Sequence, residues 1–160
     1  MRQFQVQRWI TCLLEFKGRS RTVMTPGFYT ELFFLDEAVA FAAGHRPCAE
    51  CRRDRFNAYR TAWGGTPSAP AMDEELHRAR VGRDGGKVTY RAKLESLPDG
   101  CFVEIEGVAH LVWEDGLFPW TPSGYAAKRS RPDETVTVLT PLPTVQCFKR
   151  GYRPEVNGLF

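Results

Sequence analysis

Cys48 and Cys51 stand three residues apart in the run L-D-E-A-V-A-F-A-A-G-H-R-P-C-A-E-C-R-R of residues 35–53. A Cys-x-x-Cys pair offers two sulfurs to one soft metal ion, and zinc, with tetrahedral sulfur and nitrogen ligands, suits that spacing. Zinc is thus the one cofactor the residues suggest. A closed site wants four donors. The other sulfur and imidazole groups are Cys12, His45, His77, Cys101, His110 and Cys147, and spacing does not choose among them. Pro-Cys-x-x-Cys also ends the signature of zinc nucleobase deaminases, but no His-x-Glu or Cys-x-Glu precedes it here. A redox pair would open a helix directly after a strand, whereas this one follows a helix and a proline. The plain alternative is two buried, metal-free thiols.

A second constellation is Asp73 and His77, four apart on one helical face, with Arg80 three further on. A carboxylate that orients an imidazole beside a cation suits general-base chemistry, or the steadying of positive charge in a substrate. The plain alternative is a helix-start aspartate favoured by the dipole, paired with a histidine on a solvated face. A third is aromatic. Trp120 and Tyr125 lie in a Pro/Gly-rich loop that runs into Lys128, Arg129 and Arg131. Such a loop could stack bases beside a phosphate track, or could tuck both rings into a core. Arginines 46, 52, 53, 55 and 60, and a basic turn at residues 17–21, add further cations.

The string at residues 35–53 resembles the second half of the Ada-type metal-binding domain of DNA-repair proteins, in which Glu-Ala-Leu-Ala-Ala-Gly-Tyr/Phe-Arg-Pro-Cys-x-x-Cys supplies two of four zinc thiolates. The resemblance implies zinc at Cys48 and Cys51 and DNA as the partner. It leaves residues 64–160 unmatched. The family's upstream ligand pair has no counterpart, since residues 13–44 contain neither Cys nor His and Cys12 lies outside the usual spacing. Methyl transfer to a thiol is not implied, because its acceptor cysteine is missing too.

Together these features predict a DNA-acting repair or defence enzyme, in concrete form a glycosylase-type hydrolase that removes a modified or damaged base. Asp73 and His77 would be catalytic. Trp120 and Tyr125 would stack the base, and Arg46, Arg52, Arg53, Arg80 and Arg129 would hold the nucleic acid. Two alternatives stand beside it: a non-catalytic, zinc-stabilised nucleic-acid-binding module, and an enzyme acting on a small nucleotide or other anionic metabolite.

The elements that must position these groups follow from pattern and composition. A chain of 160 residues with 42% apolar and 26% charged residues suits one globular domain: a half over 1–63, a linker at 64–71, and a helix with a β-rich half over 72–160. The net charge of +3 permits a nucleic-acid partner without demanding one. No apolar run approaches the ~18 residues of a membrane span, and five cysteines behind a polar N-terminus read as reduced thiols in a cytoplasm. Walker, dinucleotide Gly-x-Gly-x-x-Gly, Gly-x-Ser-x-Gly and His-Glu-x-x-His motifs are absent.

Strands are expected at residues 9–16, 22–24, 32–35, 101–106, 110–113, 117–120 and 135–139. A Pro26-Gly27 turn follows the second. Helices are expected at 36–43, 48–63, 72–81 and from 140 to a stop at Gly151. Residues 121–132 read as a loop, and 88–97 stay open between helix and strand. The order argues for an α+β fold: a mostly antiparallel twisted sheet or partial barrel packed by three to four short helices. Ala43-Gly44-His45-Arg46-Pro47 is echoed by Arg150-Gly151-Tyr152-Arg153-Pro154. The echo is either a shared way to stop a helix, or a duplicated unit with arginines flanking one groove.

Overall fold

The computed structural model describes residues 6–18 and 32–159. The expected strand at 22–24, the Pro26-Gly27 turn and the arginines at 19 and 21 lie outside the described residues. Residues 9–16 form only a short strand, β1 (Ile10–Thr11), and 32–35 form none. Asp36 caps α1 (Glu37–Ala42) by accepting from Val39 N at 2.9 Å, which satisfies a donor the first helical turn cannot. Gly44, at φ +85°, ends the helix in the left-handed region. The chain then enters β2 (Arg46–Pro47) and turns through the cysteines. Helix α2 (Arg53–Trp63) therefore begins five residues later than the pattern suggested. Helix α3 (Ala69–Arg80) begins earlier, because Ser68 caps it and Pro70 fits its first turn.

The β-rich half holds β3 (Tyr90–Lys93), a 3-10 turn, β4 (Phe102–Ile105), β5 (Val108–Trp113), β6 (Gly116–Thr121), β7 (Gly124–Tyr125), β8 (Arg129–Ser130) and β9 (Thr135–Val138). The last helix, α4 (Leu142–Lys149), follows. The order across the seven-stranded sheet is β3-β9-β4-β5-β6-β7, with β8 also on β6, and every pair is antiparallel. The end strands β3 and β7 do not meet, so the sheet is open. This is the α+β architecture that the order of elements implied. The segment read as a loop at 121–132 supplies both β7 and β8, two pieces of one broken edge strand along β6.

Alternation along the strands sends side chains to two faces. Val103, Val112, Leu117, Val136 and Val138 meet Phe56 and Tyr59 of α2, Met72 of α3 and Val145 and Phe148 of α4. Phe102, Leu111 and Trp113 face the other way, toward Ala38 of α1 and the C-terminal Val156 and Leu159. Phe41 of α1 belongs to the first cluster, stacked on Tyr59 at 5.4 Å, so α1 joins the two layers.

The sequence echo marks a common helix stop. Gly44 N donates to Phe41 O and His45 N to Ala40 O; Gly151 N donates to Phe148 O and Tyr152 N to Cys147 O. Both glycines have positive φ, and both turns return orphan helix carbonyls to hydrogen bonding.

Candidate metal centre and its surroundings

The third thiol comes from Cys12, and a strand pair brings it there. β1 lies parallel to β2 with Ile10 opposite Arg46 and Thr11 opposite Pro47. Arg46 N donates to Trp9 O at 3.1 Å and Cys48 N to Thr11 O at 3.0 Å. One residue further along each strand stand Cys12 and Cys48. The turn after Cys48, closed by Arg52 N donating to Cys48 O at 3.2 Å, folds Cys51 back toward them. The sulfurs of Cys12, Cys48 and Cys51 all lie within 4.8 Å of one another. Among the described residues no His, Asp or Glu joins this cluster.

The donor set fits a thiophilic ion. Sulfurs on a tetrahedral zinc at about 2.3 Å are roughly 3.8 Å apart, a separation compatible with this cluster. Backbone amides already face the sulfurs: Leu13 N donates to Cys51 Sγ at 3.3 Å and Glu50 N to Cys48 Sγ at 3.4 Å. Burial opposes charge on Cys48. The amides of Cys51 and Glu50, with the Cys51 and Cys12 thiols, outweigh it and draw its pKa below the usual thiol value. Burial pushes Cys12 up to about 12, and the charges of Cys48 and Cys51 add to that. A cation would relieve that crowding, because metal-bound thiols are thiolates.

The remaining candidate ligands are elsewhere. Cys101 and Cys147 are buried in the helix–sheet core. His110 is buried on β5 with Nδ1 2.9 Å from Val108 O. His45 sits between the rings of Trp9 and Phe34, at 5.5 and 4.7 Å; burial, then Arg80, lowers its pKa to about 4.

Asp73 faces Arg46. The guanidinium donates through Nε to Oδ1 and through Nη2 to Oδ2, both at 2.8 Å, and its Nη1 reaches Pro47 O. Both side chains are buried, and Arg46 also lies over the Phe56 ring. Both carboxylate oxygens of Asp73 thus accept from Arg46, and the pair pins β2 to α3. His77 is half-buried on α3, with its pKa lowered by burial and by Arg80. Arg80 is buried, donates to Gly44 O and Gln7 O, and lies 3.9 Å from the Trp9 ring centre.

Trp120 and Tyr125 are cross-strand partners on β6 and β7 and pack against the Phe102 cluster. Tyr125 Oη donates to Asp36 Oδ2 at 2.7 Å, and Asn157 N donates to the same oxygen. This one carboxylate therefore ties β7 and the C-terminal segment to the start of α1. Arg52 reaches Glu155 at 3.2 Å and is partly exposed. Arg53 and Arg129 are exposed.

The group that sequence reasoning left unassigned is Cys12. A signal was present: Ile10-Thr11-Cys12 and Arg46-Pro47-Cys48 each place a cysteine directly after an extended dipeptide. No helix among the described residues is long and apolar enough to cross a membrane. No protein-family model, curated protein or solved structure matches the chain, and what the site does must be read from its own geometry.

Proposed function

We propose that the protein is a zinc-stabilised nucleic-acid-binding module in which Cys12, Cys48 and Cys51 hold the metal. The observation that carries this reading is the three-sulfur cluster, with two backbone amides aimed at its sulfurs. A bound zinc would offset two of the three thiolate charges and cross-link β1 to the turn before α2. The nucleic-acid half draws on the likeness of residues 35–53 to the Ada-type domain, on the net positive charge, and on Arg53 exposed two residues beyond Cys51. Arg129, exposed on β8, is a second candidate phosphate contact. A base-removing hydrolase at Asp73 and His77 has less support, since both oxygens of Asp73 are bound to Arg46 and Tyr125 serves Asp36.

The test is metal content with thermal melting. The purified chain should carry one zinc, the Cys12→Ser variant should lose it, and chelation should lower the melting temperature, because binding energy of structural zinc is folding energy. A metal-free protein whose melting ignores both chelator and added zinc overturns the metal half. For the other half, affinity for DNA or RNA should fall linearly in log K against log salt, and Arg53→Ala should make the slope shallower by about one. No affinity even at low salt overturns it.

A further inference from the structure

Arg80 and Lys87 are two cations at one cavity, and neither forms an ion pair with a carboxylate among the described residues. The cavity, of about 250 Å³, is walled by the Trp9 indole and by Gly85 and Gly86 of the loop that follows α3. That loop is a tight return. Val81 bridges Lys87, Gly82 N donates to Gly86 O at 2.8 Å, and Val88 N donates to Arg80 O at 3.0 Å. The return sets Lys87 back beside Arg80. The nearby carboxylates are engaged elsewhere: Asp73 is paired with Arg46 and acts on Arg80 through its field without an ion pair, and Asp84 is turned onto the Gly86 amide at 3.0 Å.

Arg80 is 2% exposed; among the described residues its Nη atoms reach only backbone carbonyls, and its Nε is buried without a hydrogen-bond partner. The Lys87 ammonium donates to Ala42 O at 2.7 Å. Burying a cation against neutral carbonyls is costly unless a counter-charge arrives. Arg80 shows that cost: burial lowers its pKa to about 10 against the opposing pull of the Asp73 carboxylate. Lys87 is exposed and open to a ligand from solvent.

We propose that this cavity is a binding site for a phosphate-class oxyanion, seated between Lys87 and Arg80 against the Trp9 ring. A tetrahedral dianion supplies the missing counter-charge and accepts several charge-assisted hydrogen bonds. The inference deepens the nucleic-acid half of the proposed function and is independent of the metal. The same chemistry is offered by a nucleic-acid backbone and by a free nucleotide, and experiment separates the two.

The experiment is titration of the full chain with inorganic phosphate, a nucleoside monophosphate and a short oligonucleotide, each against chloride at equal ionic strength. Backbone amide resonances of residues 85–87 and the Trp9 indole signal give the readout. Phosphate should shift these signals selectively. Lys87→Gln, which removes a surface cation and one hydrogen bond, should weaken binding by about tenfold or more while the fold persists. Gly44→Ala, whose Cβ would meet Arg80 Cδ at 2.4 Å, is a second variant and should also weaken phosphate binding. If the oligonucleotide shifts the same signals and weakens with Lys87→Gln, the backbone is the source. If only phosphate and the nucleotide do so, the pocket stands for a small ligand and the nucleic-acid reading fails. Absence of selective shifts in the wild type, or equal phosphate affinity in Lys87→Gln, overturns the pocket whatever the oligonucleotide does.

Discussion

Asp73→Asn separates a catalytic aspartate from a structural one. In the wild type the carboxylate accepts two 2.8 Å hydrogen bonds from Arg46, and the two side chains are 8% and 3% exposed. The amide keeps the shape but loses the charge and one acceptor. Arg46 is then buried without its counter-ion, and Arg80, whose charge already opposes that of Arg46, is close enough to feel the loss. Removing one partner of a buried ion pair costs about 3–5 kcal/mol, a large share of the ~5–15 kcal/mol that holds a domain together. For a chain of this size that is a fall in melting temperature of roughly 6–20 °C. Guanidinium unfolding should show a lower midpoint at unchanged slope. The double variant Arg46→Met with Asp73→Leu should recover most of the loss, since two apolar groups leave nothing unpaired. An Asp73→Asn protein within about 1 kcal/mol of wild type would refute the structural reading. If that variant also lost turnover on a modified-base DNA, Asp73 would return to the catalytic role its helix spacing suggested.

Three further outcomes follow from the same geometry. His45 is held at a pKa of about 4 in the fold against 6.5 in the open chain, so the unfolded state binds its proton first; this contribution to stability is intact above pH 6.5, falls as pH drops toward 4, and amounts to at most about 3 kcal/mol. The difference in unfolding free energy between wild type and His45→Asn across that window measures it, and a pH-independent difference contradicts it. Gly44→Ala should destabilise by about 2–4 kcal/mol, because a Cβ there meets Arg80 Cδ at 2.4 Å and φ is +85°; a neutral effect in denaturant unfolding would mean that Arg80 yields freely. Tyr125→Phe should cost about 1.5–3 kcal/mol by freeing Asp36 Oδ2 from its hydroxyl donor, and a variant with unchanged stability but weakened nucleic-acid binding would restore the stacking role.

Local chemistry was legible in the chain. Asp36 as a cap, Gly44 and Gly151 as helix stops, the alternation from Phe102 to Ile105 and the pairing of Cys48 with Cys51 all depend on near neighbours, and near neighbours are what a sequence displays. Where propensity had to compete with packing the reading slipped. The turn that folds Cys51 toward Cys12 delays α2, and β6 captures two short pieces of a segment whose Pro and Gly content reads as a loop. The partners of the functional groups belonged to tertiary structure alone. Cys12 reaches Cys48 only because a parallel strand pair aligns them. Asp73 turns to Arg46 rather than serving a helical neighbour, because a buried carboxylate takes the guanidinium that a distant strand delivers. A sequence fixes which charges and sulfurs exist and what each could do. Which of them share a low-dielectric space is decided when the strands and helices close over them, since only there does an unpaired charge cost enough to choose its partner.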